Sequence, residues 1–217
     1  MKRSATLLLL SFLAFATTAF EGSYGYDEAT RPFPPFPRSS LTLEDADESR
    51  NFVSATLGSN MVLQRGRPAV VWGFAEDLYS APISTELRSE DGSLVFNGTT
   101  RSSPEDGGLW RQVIPPQPES LKPFSLSIRS LTTGQSTIMT NVLFGDVYVC
   151  GGQSNMQFSI PGTTNSTEEA ERADHYPHIR LFTVGQGTSS EGTPLQDLQT
   201  VEQHWTVASQ EIGRAHV

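Results

Sequence analysis

The sequence predicts an α/β protein in two parts: an antiparallel β-sandwich-like region, then the opening of a parallel α/β domain. Three observations carry this. Short apolar runs recur from Phe52 to about Asn141 with turn signals between them and no helical period. A near-continuous apolar run, Asp146-Val147-Tyr148-Val149-Cys150, follows and reads as a strand buried on both faces. Beyond it lie a helix signal and a second such strand, giving strand, helix and strand in the order of a βαβ unit.

The elements of the first part come in order. Ala69-Val70-Val71-Trp72-Gly73-Phe74 is β-prone. Ile83, Thr85 and Leu87 alternate with polar residues, as do Phe124, Leu126 and Ile128, so each set lines one face of a strand. Glu90-Asp91-Gly92, Glu105-Asp106-Gly107-Gly108 and Thr133-Gly134 are the turn signals. In the second part, Gly151-Gly152 permits a sharp turn and Gln153-Ser154-Asn155-Met156-Gln157 can start a helix. Ser166-Thr167-Glu168-Glu169 reads as a capping box ahead of Ala170 to Asp174, and Ile179 to Val184 as the next strand. The predicted domains are residues 51–141 for the β region and 142–210 for the start of the α/β region. Residues 20–50, with Thr30-Arg31-Pro32-Phe33-Pro34-Pro35-Phe36-Pro37, form a polar, Pro-rich linker.

Composition excludes several classes. The 217 residues hold 15 Lys+Arg against 24 Asp+Glu, a net charge of −9, and a nucleic-acid binder needs the opposite balance. One cysteine rules out an intrachain disulfide framework and a Cys-rich zinc module. No metal-ligand spacing and no phosphate-cradling G-x-x-x-x-G-K is present, so no metal or other cofactor is implied.

Both ends carry something besides a fold. Lys2 and Arg3 precede an uncharged stretch from Ser4 to Phe20, with Thr17 and Ala19 suited to a cleavage site. This is the pattern of a secretory signal peptide over residues 1–19, somewhat short for a membrane anchor. The expectation is a secreted or lysosomal chain with no membrane association after cleavage. Asn97-Gly98-Thr99 and Asn165-Ser166-Thr167 are then glycosylation acceptors, Asn97 the better of the two. Glu211 to Val217 (EIGRAHV) matches a back-translated sequencing adapter, so residues 211–217 read as a non-native tail and the natural frame as cut near Gln210.

The chemistry is expected at Ser154. A serine at the carboxyl end of a buried strand and the start of a helix has backbone N–H groups and a favourable dipole beside it, which suits a nucleophile and its oxyanion. The plainer reading is a helix cap, a common use of serine. G-G-Q-S-N is also not the G-x-S-x-G elbow. Spacing alone leaves both readings open.

The stretch Phe144 to Gln157 (FGDVYVCGGQSNMQ) resembles the nucleophile block of the sialate O-acetylesterases, within the SGNH hydrolase superfamily. Ser59 to Gln64 (SNMVLQ), followed by Val71 to Ala75 (VWGFA), looks like the same family's N-terminal β-domain signature, and Trp110 and Trp205 fall where that family places tryptophans. The resemblance runs from about Asn51 to Ser209. It implies that the α/β part is the truncated start of a flavodoxin-like α/β/α hydrolase domain. It further implies that Ser154 is the nucleophile, with its own N–H in the oxyanion hole, and that the substrate is an O-acetylated sialic acid or glycoconjugate. Gly151 departs from relatives that often carry Ser there. The family's late D-x-x-H base block is absent, so no base is assigned in this chain.

The remaining candidates read as structural. His175 and His178 lie 21 and 24 residues past Ser154, and His178 follows Asp174 at i+4, but exposed histidine is the commoner state. His204 sits near the cut and His216 in the suspected tail. Cys150 reads as a small apolar residue, and Met156 and Phe158 as core-facing. The functional expectation is a serine esterase removing O-acetyl groups from sialic acids through an acetyl-serine. The alternatives are an acetylesterase on another acetylated polysaccharide such as xylan, and a non-catalytic carbohydrate-binding protein.

Overall fold

A computed structural model describes residues 51–75, 80–152, 160–185 and 196–211, with the backbone of Phe12–Phe15. It is a mixed, sheet-dominated α/β structure. Its strands are β1 (Phe12–Phe15), β2 (Val62–Gln64), β3 (Ala69–Phe74), β4 (Pro82–Arg88), β5 (Leu94–Arg101), β6 (Leu109–Ile114), β7 (Ser120–Ser130), β8 (Ser136–Tyr148), β9 (Arg180–Val184) and β10 (Val201–Val207). Among the described residues one α-helix, α1 (Ser166–Ala173), precedes β9. The eight-stranded sheet runs β10-β9-β1-β8-β7-β4-β5, β2 pairs with β8, and β3 and β6 form a separate two-stranded ribbon.

The alternating segments behave as their periodicity requires. Ile83, Thr85 and Leu87 of β4 have no exposed surface, nor have Leu126 and Ile128 of β7. Register sets Thr85 opposite Ile128 and Leu87 opposite Leu126, so the apolar faces of the two strands coincide. Val71 of β3 and Trp110 and Ile114 of β6 join them in one core with Met139, Val142 and Phe144 of β8. Each large side chain buried there contributes roughly 1.5–3 kcal/mol relative to exposure. The turn signals fall between strands as expected. Gly92 takes φ +84° after β4, Gly107 and Gly108 take +68° and +86° before β6, and Gly134 takes +77° between β7 and β8.

The junction to the second part is a single strand. β8 is 13 residues long; its first part pairs with β7 and its end with β1. β2 lies parallel to it, Val62 opposite Leu143 and Gln64 opposite Gly145. β8 and β9 are each antiparallel to β1 and so point the same way, with α1 between them in sequence. They are not neighbours: β1, from the stretch read as a leader, lies between them.

Two local expectations are corrected. The Asp146–Cys150 run is not buried on both faces. Its strand ends at Tyr148, which is 51% exposed; Val149 is 74% exposed and Cys150 half-buried. An apolar run makes a strand by itself, but two-sided burial needs a layer on each face, and the described residues do not cover both here. The capping box is also not formed. Asn165 caps α1 in the left-handed region at φ +60° without a side-chain hydrogen bond, and Ser166 is already helical. Asn tolerates that conformation better than other non-glycine residues, so the cap falls one residue before the Ser-Thr-Glu-Glu run.

Candidate active site

The approach to Ser154 is described as far as Gly152, and Gln153–Ser159 lie outside the described residues. Ser154 itself, Met156 and Phe158 therefore have no structural account. A Cβ built on Gly151 meets nothing within 4 Å, so a serine in its place would fit.

The end of β8 is held by residues of the β region. Gln64 Oε1 accepts the Val147 backbone N–H at 3.0 Å, and Gln64 Nε2 donates to Asp146 Oδ1 at 3.4 Å. Arg65 grips Asp146 with two nitrogens, Nε to Oδ1 at 2.9 Å and Nη2 to Oδ2 at 3.2 Å. The Arg65 N–H donates to Gly145 O at 2.9 Å, and Arg65 Nη1 pairs with Glu119. The hydrogen bond to Asp146, with the two carboxylates' charge, holds the guanidinium above its ordinary pKa. Gln64, Arg65, Gly66, Pro118, Glu119 and Asp146 line an open cleft of about 450 Å³.

A second set of contacts ties β9, β10 and the loop before β10 to the β region. The buried Asp197 carboxylate accepts from Ser54 Oγ and Ala55 N, each at 2.9 Å. Trp205 Nε1 donates to Thr56 O at 2.8 Å, and its ring lies 5.4 Å from that of Phe182. Asn60 and Asn141, both at positive φ, join at 2.8 Å, and the buried Arg180 reaches Asn141 Oδ1 at 3.4 Å. Burial lowers the pKa of Arg180.

The other sequence candidates are scattered. Asn97 is exposed on β5, the last strand in the sheet order, and Asn165 is exposed before α1. His175 and His204 are exposed and His178 is half-buried, while Asp174 accepts the Gln210 N–H at 2.8 Å. Cys150 is a free thiol. Among the described residues no three His, Cys, Asp or Glu could hold a metal ion. Gln64, Arg65 and Asp146 were not singled out from the sequence, although Gln64 and Asp146 fall inside the two resemblance blocks.

No protein-family model matches the chain. Its fold is that of a carbohydrate acetylesterase over most of its length: a solved enzyme of that class from Xanthomonas citri superposes with a TM-score of 0.60 at 25% identity, over 73% of this chain and 32% of that one. The chain is 29% identical over 164 residues to a sialate O-acetylesterase of Homo sapiens, covering 74% of this chain and 30% of the relative. It is 32% identical over 149 residues to that of Mus musculus, covering 67% and 26%. Over the part it spans, the chain is similar to the sialate O-acetylesterases. It spans about 30% of the length of these relatives.

Proposed function

We propose that this chain is part of a serine esterase that removes O-acetyl groups from sialic acids. The observation that carries the reading is the 164-residue likeness to proteins named sialate O-acetylesterase, which extends over most of this chain. The same reading makes residues 51–141 a β-sandwich domain and residues 142–210 the start of an SGNH hydrolase domain. Ser154 Oγ attacks the acetyl carbonyl carbon, the bond to the sugar oxygen breaks, and the sugar leaves as its alcohol. Water then attacks the acetyl-serine and releases acetate. The Ser154 N–H steadies the oxyanion in both steps. The base and the remaining oxyanion donors come from elsewhere in the complete protein.

A second reading has support from the Xanthomonas citri neighbour, named only as a carbohydrate acetylesterase: the acetyl group is carried by another polysaccharide such as xylan. Relative kcat/KM on O-acetylated sialic acid and acetylated xylan separates the two. In the full-length protein, Ser154→Ala is expected to abolish acetyl-ester hydrolysis. Residues 20–210 alone should show no turnover, since a missing base and missing oxyanion donors each cost roughly 10²–10³ or more. A full-length Ser154→Ala protein as active as its parent would reduce Ser154 to a helix cap and end its assignment as the nucleophile. A full-length parent that hydrolyses no acetyl ester would favour the carbohydrate-binding reading instead.

A further inference from the structure

We propose that Gln64 and Arg65, on the β region, are positioning residues for the nucleophile strand, fixing the end of β8 from which Ser154 follows. This rests on the esterase reading and assigns the β region a part in that same site.

β2 runs alongside β8 only as far as Gln64, and the chain then turns away, with Gly66 at φ +63°. The parallel ladder stops one residue short of Asp146. The Gln64 carboxamide extends it: its oxygen takes the Val147 N–H at 3.0 Å, as a backbone carbonyl would had β2 continued. One residue on, Arg65 holds the Asp146 carboxylate through a bidentate contact of 2.9 and 3.2 Å, a geometry that fixes direction as well as distance. Consecutive residues of one segment thus hold consecutive residues of the other, one by its backbone and one by its side chain. Beyond this point β8 loses its cover. Tyr148 and Val149 are exposed, so core packing does not hold the stretch that leads to Gly151-Gly152. Asp146 and Val147, eight and seven residues before Ser154, are thus the points at which the β region holds this strand. Misplacing a nucleophile by about 1 Å can cost up to 10²-fold in rate.

The test uses the full-length protein, an aryl acetate, and a fluorophosphonate probe that labels Ser154. Gln64→Leu removes both polar contacts at similar size, and Gln64→Glu keeps the acceptor for Val147 beside the Arg65 cation while setting a carboxylate oxygen in place of the donor to Asp146. We expect kcat and the labelling rate to fall together by about tenfold in Gln64→Leu. KM should stay within about twofold and the thermal midpoint should stay unchanged, with part of the rate recovered in Gln64→Glu, which keeps the Val147 contact and loses the one to Asp146. Arg65→Met should lose rate likewise, and it stands in if Gln64→Leu does not fold. Arg88→Ala, at the exposed Arg88–Glu86 pair on β4, should change nothing. Unchanged kcat in both Gln64→Leu and Arg65→Met, with Ser154→Ala inactive, overturns the positioning role and leaves the esterase standing. A rate loss matched by a fall in the thermal midpoint overturns it too, by assigning these contacts to stability alone. Full activity in Ser154→Ala removes Ser154 as the nucleophile, and this inference with it.

Discussion

Thr85 sits at the centre of β4 with no exposed surface, and its hydroxyl has no hydrogen-bond partner among the described residues. A buried hydroxyl without a partner costs roughly 1–3 kcal/mol on protein mutational scales. Valine has nearly the same shape without that oxygen, so Thr85→Val should stabilise the protein by about 1 kcal/mol. The gain is read as a higher urea midpoint at unchanged m-value. A lower midpoint would mean that a bound water serves the hydroxyl. The alternation that put Thr85 on the inner face was plain in the sequence. Its lack of a partner was not, because hydrogen bonding depends on which groups β5 and the more distant β7 set beside it.

At the scale of elements, β3 shows why one local block has its residues. A Cβ on Gly73 would stand 2.0 Å from the Phe52 carbonyl oxygen and 2.8 Å from Val53 Cα. That carbonyl also accepts the buried Trp110 Nε1–H at 2.9 Å, and the Phe52 and Trp110 rings are 5.8 Å apart. The Asn51–Ser54 segment flanks β3 through Phe74 N to Asn51 O and Ser54 N to Trp72 O, both 2.9 Å, so it cannot retreat without losing both bonds. Gly73→Ala should therefore destabilise by roughly 3 kcal/mol, with a fall in the melting temperature and altered near-ultraviolet signal from Trp110. An unchanged melting temperature would show that the flanking segment moves freely. β3, β4 and β7 were legible from sequence because period and β-propensity are local properties. The parallel pairing of β2 with β8 was not, since it joins segments some 80 residues apart through a three-residue strand too short to show a period. The Asn165 cap was missed for a different reason: the Ser-Thr-Glu-Glu pattern satisfies the capping-box rule, and only backbone angles reveal the left-handed residue before it. Ser154 remains a sequence assignment throughout: β8 leads towards it, and the residue itself lies outside the described residues.

For the whole molecule, two readings of one segment compete. Phe12–Phe15 lies in the apolar stretch of residues 1–19, which carry the charge and hydropathy pattern of a leader, yet its backbone pairs Leu13 with Tyr148 of β8 and with Leu181 of β9. Both demands cannot be met in the mature protein. If residues 1–19 are removed, β8 and β9 keep their common direction but face each other across one vacant strand position, a gap of about 10 Å. Unpaired backbone groups on both edges then favour either direct closure of the two strands or entry of another strand. The leader is the reading we expect to hold, because the edge position and exposure of Asn97 on β5 also suit a translocated chain: a glycan there meets solvent and blocks no strand on its inner side. Full-length protein secreted from a eukaryotic cell should begin near Phe20 by mass spectrometry and carry glycan on Asn97. Its Asp146 and Tyr148 amides, which alternate with the Gln64-bound Val147 N–H and so face β1, should still be protected from hydrogen exchange by whichever strand replaces β1. An unglycosylated product that retains Met1 and protects Phe12–Phe15 would make this segment a permanent strand of the sheet and end the secretory reading.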